Sequence, residues 1–318
     1  MTTGLIYDER FLDHDTGPHH PERPDRLRAI NTRLKATGLL DRLQLLAASP
    51  VDSTMLARVH TAAYLTRLDA ACEQGKSYID TPDSAICAQS ADIARLAAGG
   101  VSHAVDCVMA GEIDNAFCAV RPPGHHAERD QSMGFCLLAN AAIAAERMAG
   151  DHRLKRVAIV DFDVHHGNGT QHMFEERSDV LFISLHEDPT VQYPGSGFVD
   201  ETGRGAGEGF TLNLPMATGA GDEAFQRAFD ETVIPRLNAF SPEAMILSAG
   251  FDASAPDPLG HLNVTPAGFA WMTRQLLDVA ATHAGGRVVS LLEGGYDLDS
   301  LADCVEAHVR ELLAANDS

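Results

Sequence analysis

Three features of this 318-residue chain predict an α/β fold in a single domain (1–318), built on a multi-stranded, mostly parallel sheet flanked by helices. Short β-branched and apolar runs recur along the whole length, segments with helical spacing separate them, and no linker, repeat or low-complexity tract divides the chain. Strands that alternate with helices are buried on both faces, so they read as continuous apolar runs rather than as alternating ones.

The first such run is GLIY (4–7), followed by a helical segment over 24–40. Further helical patterns cover 53–72 and 90–110, and AFCAV (116–120) is the next strand. After a short helix over 139–148 come the strands RVAIVDFD (156–163), VLFISLH (180–186) and FTLNLP (210–215), then a helical segment over 222–237. AMILSAGFD (244–252), a helix over 266–282, RVVSLLEGGYD (287–297) and a helix over 298–313 complete the order. The polar, glycine-rich stretches at 13–24, 121–134, 187–209 and 253–262 are then loops. In open parallel sheets, ligands collect where loops leave the carboxyl ends of the strands.

Hydrophobic residues make up 45% and charged residues 22%, which supplies a sizeable core and excludes a disordered chain. A net charge of −21 with no basic cluster argues against nonspecific nucleic-acid or anionic-membrane binding. It favours cationic partners such as lysine-rich peptides or polyamines, although solubility alone explains it equally well. The start, MTTGLIYDER, lacks a basic stretch followed by an apolar run, and no apolar segment approaches the ~20 residues that span a bilayer. The expected location is cytoplasmic. Six cysteines without a CxxC pair, most in apolar contexts, read as buried thiols rather than disulfides or a thiolate metal site.

The strongest chemical signal is DFDVHHGNGTQ (161–171), directly after the apolar run RVAIV. Asp163 and His165 are two apart, so a chain leaving a strand in extended form aims both side chains at one point. A lone pair of this kind reads better as a polar strand end. Asp252, however, closes a second apolar run, AMILSAGFD, and makes a third ligand. Three protein ligands leave one position open for water, as in a catalytic zinc site, and Fe(II) or Co(II) suits the same donors. A third strand end, AFCAVRPPGHHAE, presents His125 and His126 behind a Pro-Pro-Gly turn. Water attacking an amide needs a base, and the departing amine needs an acid; one histidine near neutrality serves as both in turn. In LLEGGYD, Gly294 and Gly295 permit a turn that aims Tyr296 inward as an oxyanion donor, although alone Tyr296 reads equally as an ordinary turn residue.

RPPGHHAERDQSMGFC, DFDVHHGNGTQ, SLHEDPTVQYPGSG, SAGFDASAPDPLG and LEGGYD, in this order over 121–297, resemble the histone deacetylase family in its class II-like bacterial amidohydrolase branch. HPERPDRL (20–27) is similar to that branch as well. The resemblance implies the three-layer arginase/deacetylase-like fold and zinc held by Asp163, His165 and Asp252. It implies His126 as general base and acid, His125 as its electrostatic helper oriented by Asp161, and Tyr296 as oxyanion donor. Asp161 and Asp163, with Ser184, Leu185 and the His165 carbonyl, resemble the family's buried monovalent-cation site, usually potassium. Phe135 and Tyr193 match the aromatic walls of an acyl-lysine tunnel, with Gly134 beside them and Leu259 at its mouth. Asp83 matches the rim carboxylate that grips substrate backbone, and reads equally as a solvated loop aspartate. Asn168 stands where class I members carry an aspartate behind His126, which leaves that imidazolium less stabilised.

The implied function is zinc-dependent removal of acyl groups from lysine side chains of a peptide or protein, with a small acylated amine, as in an acetylpolyamine amidohydrolase, as the alternative substrate. Leucine at 259 offers no charge to a secondary ammonium, which favours acyl-lysine. A binuclear manganese ureohydrolase is excluded, because Val164, His166, Gly167, Ala253 and Ser254 give a second metal too few ligands. A non-catalytic acyl-ligand reader is the remote alternative, since every catalytic position is filled. A homo-oligomer is left open.

Overall fold

A computed structural model describes residues 2–315. The described residues form one sheet of eight strands: β1 (Thr3–Ile6), β2 (Gln44–Leu46), β3 (Asn115–Cys118), β4 (Val157–Asp161), β5 (Val180–Glu187), β6 (Thr211–Met216), β7 (Ala244–Ala249) and β8 (Val288–Leu292). All neighbours are parallel, in the order β2-β1-β3-β8-β7-β4-β5-β6. The seven predicted strands are all present. The eighth, β2, is an edge strand of three residues with Leu45 exposed, too short and too open to leave an apolar signature.

The helices are α1 (Asp25–Ala36), α2 (Ser53–Val59), α3 (Ala62–Glu73), α4 (Ser90–Ala110), α5 (Asn140–Glu146), α6 (Asn168–Phe174), α7 (Asp222–Ala228), α8 (Ile234–Phe240), α9 (Pro266–His283) and α10 (Leu298–Ala314). α1, α9 and α10 pack together as one layer, while α4 packs on α5 and α5 on α2 as another, which gives helix, sheet and helix. The predicted helix over 53–72 is two helices. Asp52 caps α2 through Met55 N, Thr61 caps α3 through Tyr64 N, and extended His60 lies between them. The break turns the buried His60 ring under the loop that follows β3, where it bonds Glu128 O (3.0 Å) and Ala139 N (3.0 Å). The segment over 222–237 runs through a π-helical turn (Phe229–Val233) between α7 and α8, and α6 adds a helix where none was predicted.

β3, β4, β5, β7 and β8 are buried at every residue, so both faces of the sheet's centre form core. All six cysteines are unpaired and five are buried. Among the described residues no helix is long and apolar enough to cross a membrane.

Candidate metal centre and active site

The strand order explains why motifs far apart in sequence meet. β3, β8, β7, β4 and β5 are consecutive neighbours, and each releases a motif-bearing loop from its carboxyl end. His125 and His126 follow β3, Tyr296 follows β8, Asp252 follows β7, Asp163 and His165 follow β4, and Tyr193 follows β5.

The ligand atoms of Asp163, His165 and Asp252 lie within 4.8 Å of one another, and all three residues are buried. His165 Nδ1 is 2.9 Å from Asp163 Oδ1 and 3.3 Å from Asp252 Oδ2. Backbone N–H groups orient the carboxylates: Gly294 N donates to Asp163 Oδ2 (2.7 Å) and Val164 N to Asp252 Oδ1 (2.9 Å). Glycine is required around them, because a Cβ at Gly294 would stand 1.9 Å from Asp252 Oδ2 and one at Gly250 2.1 Å from Asp163 Oδ2. Burial pushes His165 down, but the neighbouring Asp163 and Asp252 carboxylates prevail and push it up to about 10. Burial and the neighbouring Asp163 charge raise the Asp252 carboxyl, and its buried Oδ2 has no hydrogen-bond partner. A field that calls for positive charge, an orphaned carboxylate oxygen and two oxygen donors beside one nitrogen fit a divalent metal ion such as zinc.

His125, Cys136 and Glu293 also cluster within 4.8 Å, but their donor atoms are engaged. Glu293 Oε2 accepts from Gly124 N (2.7 Å) and His125 N (3.1 Å), and burial raises the Cys136 thiol well above its usual range, keeping it protonated.

Beside this candidate ligand cluster the two histidine rings lie with centroids 4.0 Å apart, tilted 42° to each other. His125 Nδ1 bonds Asp161 Oδ2 (3.0 Å) and His126 Nδ1 bonds Asn168 Oδ1 (2.7 Å). Burial opposes charge on both rings. At His125 the Asp163 and Asp161 carboxylates overcome it and raise the pKa well above the usual value. At His126 the charges of His125 and His165 add to burial and lower it well below. The surroundings thus favour charge on His125 and oppose it on His126. Asn168 Nδ2 donates to Glu128 Oε1 (2.5 Å), which turns the amide oxygen toward His126. His126 then carries its hydrogen on Nδ1, and Nε2 keeps its lone pair.

A cavity of about 210 Å³ reaches this cluster and is lined by Asp83, His126, Gly134, Phe135, His165, Gln192, Tyr193, Leu259 and Tyr296. Every predicted tunnel residue is among them. Gly134 has φ +55°, and a Cβ there would meet His126 Cδ2 at 2.3 Å; its N–H donates to Asp83 Oδ2 (3.2 Å). The Phe135 ring stands edge-on to Tyr296 (5.7 Å), and Tyr193 edge-on to His126 (5.1 Å). A larger hollow of about 740 Å³ beside exposed Asp15 and Arg28 contains none of these residues.

Several supporting residues escaped the sequence reading. Burial, then the Asp252 charge, raises the Tyr296 hydroxyl well above 10 and keeps it a donor. Asp257 Oδ2 accepts from Tyr296 N (2.6 Å) and Asp297 N (3.2 Å). Arg26 lies 5.0 Å from the Tyr296 ring centre and donates to Gly295 O and Glu293 O (2.6 Å each). Buried Glu22 holds Arg26 and also Arg121, which precedes the histidine loop. Each lies in a motif that carries the family resemblance: Glu22 and Arg26 in HPERPDRL, Gln192 in SLHEDPTVQYPGSG and Asp257 in SAGFDASAPDPLG.

Ser184 is the register partner of Asp161 across β4 and β5. Its hydroxyl lies 2.8 Å from Nδ1 of His186, whose Nε2 bonds Gly197 O (2.9 Å) and therefore carries the hydrogen. Ser184 thus donates to His186 and keeps its oxygen lone pairs.

Fold and cluster together describe an α/β protein with a candidate metal centre at the foot of a tunnel. A family model described as histone deacetylase domain matches residues 20–312. A histone deacetylase-like amidohydrolase of Pseudomonas aeruginosa is 41% identical over 98% of this chain and 86% of its own length. Histone deacetylase 15 of Arabidopsis thaliana is 43% identical over 99% of this chain, which spans 57% of that protein. The crystal structure of the HDA15 HD domain superposes with a TM-score of 0.94 at 43% identity, covering 99% of this chain and 90% of that one. The chain belongs to the histone deacetylase family.

Proposed function

We propose that this chain is a zinc-dependent deacylase, one catalytic domain over 1–318, that removes acetyl or other acyl groups from lysine side chains. The observation that carries the reading is the buried Asp163, His165 and Asp252 cluster at the foot of a narrow, mostly apolar cavity that also meets His126 and Tyr296. Asp163, His165 and Asp252 would hold zinc, which would supply Lewis acidity toward the amide carbonyl and the attacking water. His126 Nε2, uncharged, takes the water's proton and delivers it to the departing amine. The neighbouring His125 imidazolium, held by Asp161, makes protonated His126 a stronger acid and so favours that delivery. Tyr296, kept protonated, donates to the oxygen that gains charge. Ser184 and Leu185, with Asp161, Asp163 and the His165 carbonyl, offer only oxygen donors, which suits potassium and would brace the strand end beneath the zinc ligands.

The choice of lysine over polyamine rests on Leu259, which lines the cavity without a charge for a secondary ammonium. Asp83 at the rim suits the backbone N–H groups of a peptide. The zinc-loaded protein should hydrolyse an acetyl-lysine peptide with a higher kcat/KM than N-acetylputrescine or N-acetylspermidine, and Leu259→Glu should shift the balance towards the polyamines. A wild-type preference for either polyamine would overturn the substrate assignment.

A further inference from the structure

The wall that carries Tyr193 lies on the long segment 187–209, whose regular structure beyond the end of β5 is a single 3-10 turn (Gly205–Gly207). An irregular loop holds an aromatic ring at a fixed place only if its polar groups are tied down. Glu187, its side chain fully buried, supplies the anchor. Its Oε1 accepts from the Thr218 hydroxyl (2.7 Å), and its Oε2 accepts from Gln192 Nε2 (3.1 Å) and His261 N (3.0 Å).

Gln192 extends this anchor into the cavity wall. Its Nε2 also donates to Leu259 O (2.9 Å), and its Oε1 accepts from Tyr193 N (2.9 Å). Both partners of Nε2 are acceptors and the partner of Oε1 is a donor, so the amide has one possible orientation. Both of its N–H groups are consumed inside the protein, which leaves its methylenes to face a substrate. The one side chain therefore links the Tyr193 wall to the Leu259 wall, two loops that leave β5 and β7 at separate strand ends.

We propose that Gln192 is a positioning residue for specificity: by tying the Tyr193 wall to the Leu259 wall, it fits the tunnel to an unbranched alkyl chain. The inference rests on the acyl-lysine reading above. Without the bridge the walls separate, contacts with the methylene chain weaken, and the metal end stays as it is.

Two hydroxamates separate these regions, because a long linear alkyl hydroxamate threads the tunnel whereas acetohydroxamate occupies the metal end alone. Gln192→Met keeps the volume and removes the bridge. It should weaken the long hydroxamate about tenfold and raise KM for an acetyl-lysine peptide by a similar factor, on the scale of a sub-ångström misplacement. Acetohydroxamate affinity should change by less than about twofold, and kcat should fall much less than KM rises. Glu187→Met, which leaves Gln192 Nε2 and His261 N without their shared acceptor, should reproduce the pattern and serves as the second variant if Gln192→Met folds poorly. Equal loss of both hydroxamates, or no loss of the long one, in the folded variants would overturn the proposal. Absence of acetyl-lysine turnover by the wild type would instead overturn the substrate reading, and the hydroxamate ratio would still report on the wall.

Discussion

Replacing Glu22 by glutamine takes a carboxylate from between two buried guanidiniums. Its oxygens meet Arg121 Nε (2.5 Å), Arg121 Nη2 (2.8 Å) and Arg26 Nη1 (3.1 Å), and all three side chains are fully buried. Burial raises the Glu22 pKa, but the charges and hydrogen bonds of Arg121 and then Arg26 prevail and hold it at about 2, against 4.5 for a free glutamate. At 1.36 kcal/mol per unit, that difference corresponds to about 3 kcal/mol of stability. Breaking one side of a buried pair independently gives about 3–5 kcal/mol. In a chain of this size the loss is about 5 °C in Tm. Because the folded pKa lies below the unfolded one, the contribution is complete above about pH 5 and is lost as pH falls towards 2. Thermal melts of wild type and Glu22→Gln should therefore differ by about 5 °C at pH 7 and by less than half of that at pH 3. Equal melting at pH 7, or a gap of the same size at both pH values, would refute the reasoning. Arg26 and Arg121 lead to the Tyr296 turn and to the histidine loop, so turnover should fall as well.

Tyr296→Phe should keep the fold and the metal while turnover drops on the order of 10²-fold or more, with little change in inhibitor affinity; an unchanged kcat would remove Tyr296 from the chemistry. His126→Ala should be more damaging than His125→Ala toward an acetyl-lysine amide, because it removes the group that carries the proton. An activated ester, whose leaving group needs no acid, should be partly spared in His126→Ala, and equal damage to ester and amide would contradict the general-acid assignment.

Much of the site is legible because each of its pieces follows an apolar run that can only be a buried strand. Asp163 and His165 after RVAIV, Asp252 after AMILSA and Tyr296 after LL all stand where parallel sheets present ligands. The resemblance supplied the pairings, and His125 with Asp161 and His126 with Asn168 are both present. Local signals failed in two ways. β2 is three residues long with two exposed, and the turn at His60 interrupts a periodicity that continues on both sides of it. Glu22, Gln192 and Asp257 stand inside the motifs that carry the resemblance, but their roles lie in partners 99, 67 and 39 residues away, which no local pattern encodes.

Zinc stoichiometry of purified wild type and Asp252→Ala tests the metal centre most directly. With one three-ligand site per chain, the wild type should contain about one zinc, and the folded variant less than about a tenth of that, because removing one carboxylate leaves too few protein ligands. Undiminished zinc in folded Asp252→Ala would contradict the assignment of Asp163, His165 and Asp252 as the catalytic metal site.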